Sequence, residues 1–122
     1  MGTDHPNVAI SLSNLANVLI ETRQYQQARA HFERVIQIWE RANSGHTNAA
    51  YARNNLAALL ILTGHYEEAR EQHRRALQTL IKEYGPGHRL VVEALEEYAG
   101  WLRAAGRKAE AEEVASRARR IH

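Results

Sequence analysis

The chain has 122 residues, of which 44% are hydrophobic and 25% charged, and sixteen Lys and Arg stand against fourteen Asp and Glu. This length fits one domain, and the composition is that of a soluble globular protein, which argues against a disordered or membrane-spanning chain. Acidic and basic residues interleave throughout, so we expect no nucleic-acid partner. The longest apolar run, residues 56–62, is far shorter than the roughly 20 residues of a membrane-spanning helix, so we expect no membrane partner. The basic cluster at Arg117, Arg119 and Arg120 is interpreted as the solvated end of a helix.

The first predicted elements are two helices separated by a short polar turn. Apolar residues at i, i+3 or i+4 and i+7 indicate one face of a helix, and this spacing occurs at Val8, Leu12, Leu15, Ala16 and Leu19. It occurs again at Ala28, Phe32, Val35, Ile36 and Trp39. The first 45 residues therefore predict a helix-turn-helix unit.

The same unit recurs twice along the chain. Residues 14–16 return as residues 55–57, and residues 23–29 return as residues 64–70, both 41 residues later. A third copy follows after 42 residues, with Gly64 matched by Gly106 and Ala69 by Ala111. We expect a single domain over residues 1–122 whose units span about 5–45, 46–87 and 88–122, with six helices and no strand.

These residues resemble the tetratricopeptide repeat, whose pattern is Trp-x2-Leu-Gly-x2-Tyr followed by Ala-x3-Phe. The first unit carries it as Leu12-x2-Leu15-Ala16-x2-Leu19 and Ala28-x3-Phe32. Small residues at Ala16, Ala57, Ala69 and Ala111 would let paired helices approach closely. The longer period looks like the kinesin light chain subtype. The resemblance implies an all-α, right-handed solenoid of three units and six antiparallel helices.

The two ends of the repeat array differ from its middle. The last predicted helix has one charged face, which suits a solenoid's terminal cap, so we expect the C-terminal end of the array there. Residues 2–5 match the loop at residues 85–88, which elsewhere links one unit to the next. We therefore expect either a fragment of a longer array at the N-terminus or a first helix covered by self-association.

Neither metal binding nor catalysis is predicted. His5, His46 and His88 occupy one slot in successive units, and units stacked about 10 Å apart cannot share an ion. We interpret them as residues at helix starts, and His73, in the slot of Phe32, as a packing residue. The sequence contains no nucleophile elbow, phosphate-binding loop or His-Glu-x-x-His motif. We therefore expect no enzyme, no metal and no cofactor.

The resemblance implies that the first helices of the units line a concave groove. Among the residues that match its groove positions, those that we expect to contact a partner are Asn14, Asn17, Glu21, Tyr51, Asn54, Asn55 and Glu97. Asn is a poor helix former, yet it recurs in mid-helix, and its amide both donates and accepts hydrogen bonds. Two roles stay open: pairing with the backbone of a bound peptide, or bonding to the neighbouring unit.

The predicted function is a protein-interaction scaffold that binds a peptide or protein in this groove. Two alternatives stay open: a structural module that dimerises through its apolar first helix, and a sensor segment of a larger signalling protein. The chain contains no cysteine, which suits a reducing compartment. No export signal is visible at its start, so we expect a cytoplasmic protein.

Overall fold

A computed structural model describes residues 6–42 and 45–121. These residues form six helices and no strand: α1 (Pro6–Glu21), α2 (Tyr25–Arg41), α3 (His46–Leu62), α4 (Tyr66–Tyr84), α5 (Arg89–Ala104) and α6 (Lys108–Arg120). The prediction of an all-α solenoid with six helices is confirmed. None of the helices in these ranges is long and apolar enough to cross a membrane.

Each helix packs first against its neighbour in sequence. Helices α1 and α2, α3 and α4, and α5 and α6 form three hairpins, α2 packs on α3, and α5 contacts both α3 and α4. Such a chain of nearest-neighbour contacts is what makes a solenoid quasi-one-dimensional. Helix α3, in the middle, has neighbours on both sides and ten buried residues.

Alanine occupies the close contacts of the hairpins. Ala16, Ala57, Ala69 and Ala111 are fully buried, as the repeat pattern predicted. A side chain of one methyl group lets two helix axes approach, and a larger residue at these positions would separate them. Around these alanines the core holds larger side chains such as Phe32, Leu56 and Tyr98.

The turn inside each hairpin has one geometry. Gly64 and Gly106 have φ angles of 83° and 82°, in the left-handed region that glycine adopts without a Cβ clash. Arg23 takes the same place in the first unit with a φ of 63°. In each turn the next N–H returns to the preceding helix, as in the bond from Gln24 to the Leu19 carbonyl at 2.7 Å. Arg23 therefore holds a backbone conformation that glycine provides elsewhere.

The loop histidines stand at helix starts. His46 is the first residue of α3. His88 precedes α5 and accepts the Leu90 N–H at its Nδ1 at 3.0 Å, which satisfies one of the free donors of the first turn. The prediction is confirmed for these two residues, whereas His5 lies outside the described residues. His73 is buried, as expected of a packing residue.

Matching ion pairs join the second helices of successive units. Arg29 on α2 pairs with Glu68 on α4. One unit further on, Arg70 on α4 pairs with Glu110 on α6, with Nη2 and Oε2 3.0 Å apart. Partly exposed pairs of this kind add little stability each, but they set the same register at both joints between units.

Candidate partner-binding groove

Beyond its first turn, helix α3 presents one exposed stripe on an otherwise buried surface. Tyr51, Asn55 and Leu62 are exposed and Ala58 is half-buried, while ten other residues of the helix are buried. The spacing of i, i+4, i+7 and i+11 puts these four residues on one face. In the middle unit, this stripe is the surface of the first helix that is accessible to a partner.

The equivalent positions of α1 and α5 are exposed as well. On α1 they are Ile10, Asn14, Asn17 and Glu21, and on α5 they include Glu93, Glu97 and Ala104. Partial burial of the Tyr51 ring, with smaller contributions from the nearby Glu93 and Glu97 carboxylates, raises the pKa of its hydroxyl. The stripes of α3 and α5 therefore lie near each other, on two helices that are in contact.

The amides of the predicted set divide into two groups. The side chains of Asn14 and Asn55 are exposed and form no hydrogen bond within residues 8–42 and 45–121. Asn54 is only 4% exposed, and its Oδ1 accepts a hydrogen bond from His73 Nδ1 at 3.3 Å. Adjacent residues of a helix point about 100° apart, so Asn54 faces α4 while its neighbour faces solvent. The expectation that Asn54 contacts a partner is therefore wrong.

The third unit makes one end of the predicted groove acidic. Glu97 stands where the other units have Asn14 and Asn55, and Glu93 lies one turn before it. Partial burial first, and the charge of Glu93 second, raise the pKa of the Glu97 carboxyl. Arg89 partly offsets this charge, with its Nε 3.6 Å from Glu93 Oε2. Along the predicted groove, the exposed side chains thus change from amide and apolar groups to carboxylates.

The arrangement offers hydrogen bonding and charge. Across the part of the chain that the structure describes, no three His, Cys, Asp or Glu side chains are grouped to hold a metal ion. Amides, carboxylates and an exposed tyrosine can bind a peptide through its backbone and its basic side chains.

Comparison with known proteins identifies the repeats. A family model described as tetratricopeptide repeat matches residues 7–82 and 48–122, and no curated protein matches the chain. Two crystal structures of a Podosopora anserina protein, described as a kinesin light chain with nearly identical TPR-like repeats, share the fold with TM-scores of 0.80 and 0.79. Each is 24% identical and aligns with 99% of this chain.

This chain spans 57% and 58% of those two solved chains, a little over half of their length. The similarity at this identity concerns the fold. The family model, in contrast, covers almost the whole sequence in two overlapping matches, and it agrees with the motifs that predicted the repeat. The chain belongs to the tetratricopeptide repeat family.

Proposed function

We propose that this chain binds a peptide or protein partner in the groove formed by α1, α3 and α5. Proteins of this family are generally protein–protein interaction modules and typically non-enzymatic scaffolds. The observation that carries the proposal is the exposed stripe of α3, where Tyr51 and Asn55 lie on a helix that is mostly buried beyond its first turn.

The state of the amides supports a role in binding. Asn14 and Asn55 form no bond to a neighbouring unit within the described residues, which supports the binding role over the structural one. An extended peptide presents one N–H and one C=O per residue, and a free amide side chain can pair with both whatever the peptide's sequence. Tyr51 adds a flat surface that loses little entropy on contact.

The carboxylates define the partner's chemistry at one end. Glu93 and Glu97 favour a basic residue where the partner crosses α5. Because the pKa of Glu97 is raised, this preference weakens as the pH falls and the carboxyl becomes protonated. A chain without cysteine suits a reducing compartment, and we propose that the module works in the cytoplasm.

The proposal is tested with peptides selected on the immobilised chain from a random displayed library. We expect Asn55→Ala to weaken their binding by about 1–3 kcal/mol, because a desolvated peptide group loses its hydrogen bonds. The melting temperature should hardly change, since Ala is the better helix former. The matched control is Gln37→Ala, which removes an exposed amide from α2.

If Asn55→Ala binds the selected peptides with unchanged affinity, the proposal that Asn55 contacts the partner is contradicted. A melting temperature several degrees lower, with weaker binding only through unfolding, would assign Asn55 a structural role instead.

Self-association is a second candidate function, and one observation favours it. Leu15 and Val18 on α1 are 45% and 51% exposed, whereas Leu56 and Leu59, which hold the same positions in α3, are 1% and 2% exposed. In α3 the preceding unit covers this face. A second copy could cover it in α1, which makes dimerisation through the first helix a testable alternative. No observation among the described residues favours a sensor segment.

A further inference from the structure

A cavity of about 540 Å³ lies between the second helices α4 and α6, above α5. It is separate from the groove, which runs along the first helices. Its apolar surface comes from Leu77, Ile81, Leu95 and Val114, and Arg117 stands at its side. Pockets that bind small molecules measure roughly 300–1,000 Å³ and combine such a surface with a few polar groups. The size and lining therefore fit a small ligand.

Two buried side chains in the lining hold polar atoms without a partner. The rings of His73 and Tyr98 are stacked, with centroids 3.9 Å apart and planes at 15°, and they are 5% and 2% exposed. His73 Nδ1 donates to Asn54 Oδ1 at 3.3 Å, which leaves Nε2 as a bare acceptor. Neither this Nε2 nor Tyr98 Oη has a hydrogen-bond partner among the described residues.

The nearest cation is held mainly by carboxylates. Arg70 lies close enough to the Tyr98 hydroxyl to oppose part of the rise in its pKa, but its Nε and Nη2 donate to Glu110 at 3.2 and 3.0 Å. Its Nη1 donates to Glu67 at 3.4 Å. Burial raises the pKa of the Tyr98 hydroxyl to about 12, so the group stays an un-ionised donor and acceptor.

The preceding joint of the same chain is filled differently. There the positions of His73 and Tyr98 are held by Phe32 and Leu56, both buried and apolar. The positions of Leu95 and Val114 are held by Arg53 and Gln72, which bond to each other at 2.9 Å.

The joint between the second and third units thus has no counterpart of the bonded pair Arg53–Gln72. It contains instead two buried polar atoms, His73 Nε2 and Tyr98 Oη, without partners among the described residues. Packing alone does not favour that exchange, because buried polar groups in folded proteins are almost always paired. Binding of a ligand does favour it, because a ligand group can supply the missing partners.

Several charged side chains line the cavity. Arg70 and Arg74 pair with glutamates, Arg120 donates to Ser116, and Arg117 lies one turn after Glu113 on α6. Within the described ranges Arg117 forms no ion pair. It faces His73 closely enough that burial first, and its charge second, lower the pKa of the imidazole to about 3. A free guanidinium beside an apolar surface is a binding group for a carboxylate.

We propose that this cavity binds a small organic carboxylate with a flat apolar body and a hydroxyl group. The carboxylate pairs with Arg117, and the body packs between Leu95 and Val114. The hydroxyl donates to His73 Nε2 and accepts from Tyr98 Oη. Both atoms are buried, so the side chains that cover them must rearrange when the hydroxyl binds.

The test uses 4-hydroxyphenylacetate, titrated into the 15N-labelled chain and followed by amide chemical shifts. Saturable shifts are expected at residues of α4, α5 and α6 that line the cavity. Two relatives of the probe separate its groups: phenylacetate lacks the hydroxyl and 4-hydroxyphenylacetamide lacks the charge. Each should bind about tenfold more weakly, the loss expected for one buried or charge-assisted hydrogen bond.

Arg117→Gln should weaken the acid about tenfold and leave binding of the amide probe unchanged. Arg119→Gln is the matched control, because it removes the same charge from α6 at a residue that pairs with Glu112 outside the cavity. His73→Phe should remove the advantage of the hydroxylated probe over phenylacetate.

Several results would overturn the proposal. The first is the absence of saturable shifts with all three probes at millimolar concentration. The second is a set of shifts confined to the groove face of α1, α3 and α5. The third is an equal loss of affinity for the acid in Arg117→Gln and Arg119→Gln, which would show that the chain attracts the anion only through its general positive charge. Shifts at the cavity caused only by a groove-binding peptide would assign the cavity to a macromolecular partner instead.

Discussion

At the scale of single residues, the three units differ in the residue at the positive-φ position of their hairpin turns. The first hairpin turn has Arg23 where the other turns have Gly64 and Gly106, and all three have positive φ angles. A side chain in this region brings Cβ close to the backbone, which costs about 1–2 kcal/mol. The first unit therefore carries strain that the others avoid.

We expect Arg23→Gly to raise the free energy of unfolding by about 1 kcal/mol, because it removes this strain. Urea denaturation of both proteins measures the difference. Gly64→Ala is the reverse experiment: no atom lies within 4 Å of the added Cβ, so its expected loss comes from the φ angle alone. Equal stabilities of Arg23→Gly and the parent chain would contradict the assigned strain.

A second residue-scale prediction concerns acid stability. Burial and the charge of Arg117 lower the pKa of His73 from 6.5 to about 3 in the folded chain. Between these values the unfolded chain binds a proton that the folded chain does not. Stability contributed by neutral His73 is therefore present above pH 6.5 and is lost as the pH falls towards 3, by up to about 1.4 kcal/mol per pH unit.

His73→Phe, which copies Phe32 of the first unit, should flatten this part of the stability profile. Denaturation at several pH values between 4 and 7 measures how the free energy of unfolding changes with pH. This slope reports the titration of His73, whereas the lost hydrogen bond to Asn54 lowers the stability without changing the slope. The exposed His46, replaced in the same way, is the control. A slope that does not change in His73→Phe would show that other groups cause the acid sensitivity.

At the scale of elements, the helices meet at alanines. Ala57 on α3 is fully buried in the core that joins the first two units, and α3 packs against α2, α4 and α5. No space is left there for a longer side chain, because protein interiors are close-packed. The separation of the helix axes thus depends on this one methyl group.

Ala57→Leu should lower the free energy of unfolding by about 1–3 kcal/mol through overpacking. Thermal melting measures it, and Ala58→Leu is the neighbouring control, because Ala58 lies half-buried on the groove face. A change in melting temperature below about one degree would mean that Ala57 does not lie at a helix crossing.

At the scale of the whole molecule, the array is asymmetric. The face of α1 with Leu15 and Val18 is exposed, whereas the matching face of α3 is covered by the preceding unit. In a solenoid each interface adds its own term to the stability, so an uncovered apolar face gains from any helix that packs on it.

If self-association covers this face, the sedimentation coefficient of the chain should rise with concentration. Val18→Lys should abolish that rise, since a charge cannot be buried at such an interface without a partner. Ile10→Lys places the same charge on the neighbouring groove stripe of α1 and should leave the dimer intact. A chain that sediments as a monomer at every concentration would contradict this alternative and leave the groove as the candidate function.

The helices and their pairing follow from the sequence alone. Apolar periodicity, the recurring Gly64 and Gly106, and the small residues at Ala57 and Ala69 are local signals, and each hairpin forms between helices adjacent in the chain. The exposed stripe with Asn55 and Tyr51 was predictable for the same reason, because one repeat pattern sets the outward face of every first helix.

Only the tertiary structure decided which polar residues face inward. Asn54 precedes Asn55 by one position, yet it bonds to His73 in the interior. Arg53 is buried and pairs with Glu40 and Gln72, while the matching Leu95 lines a cavity. These outcomes depend on side chains from three helices that meet across a joint. The angle and spacing at which helices cross, which local periodicity does not encode, determine whether that space is filled, paired or left open.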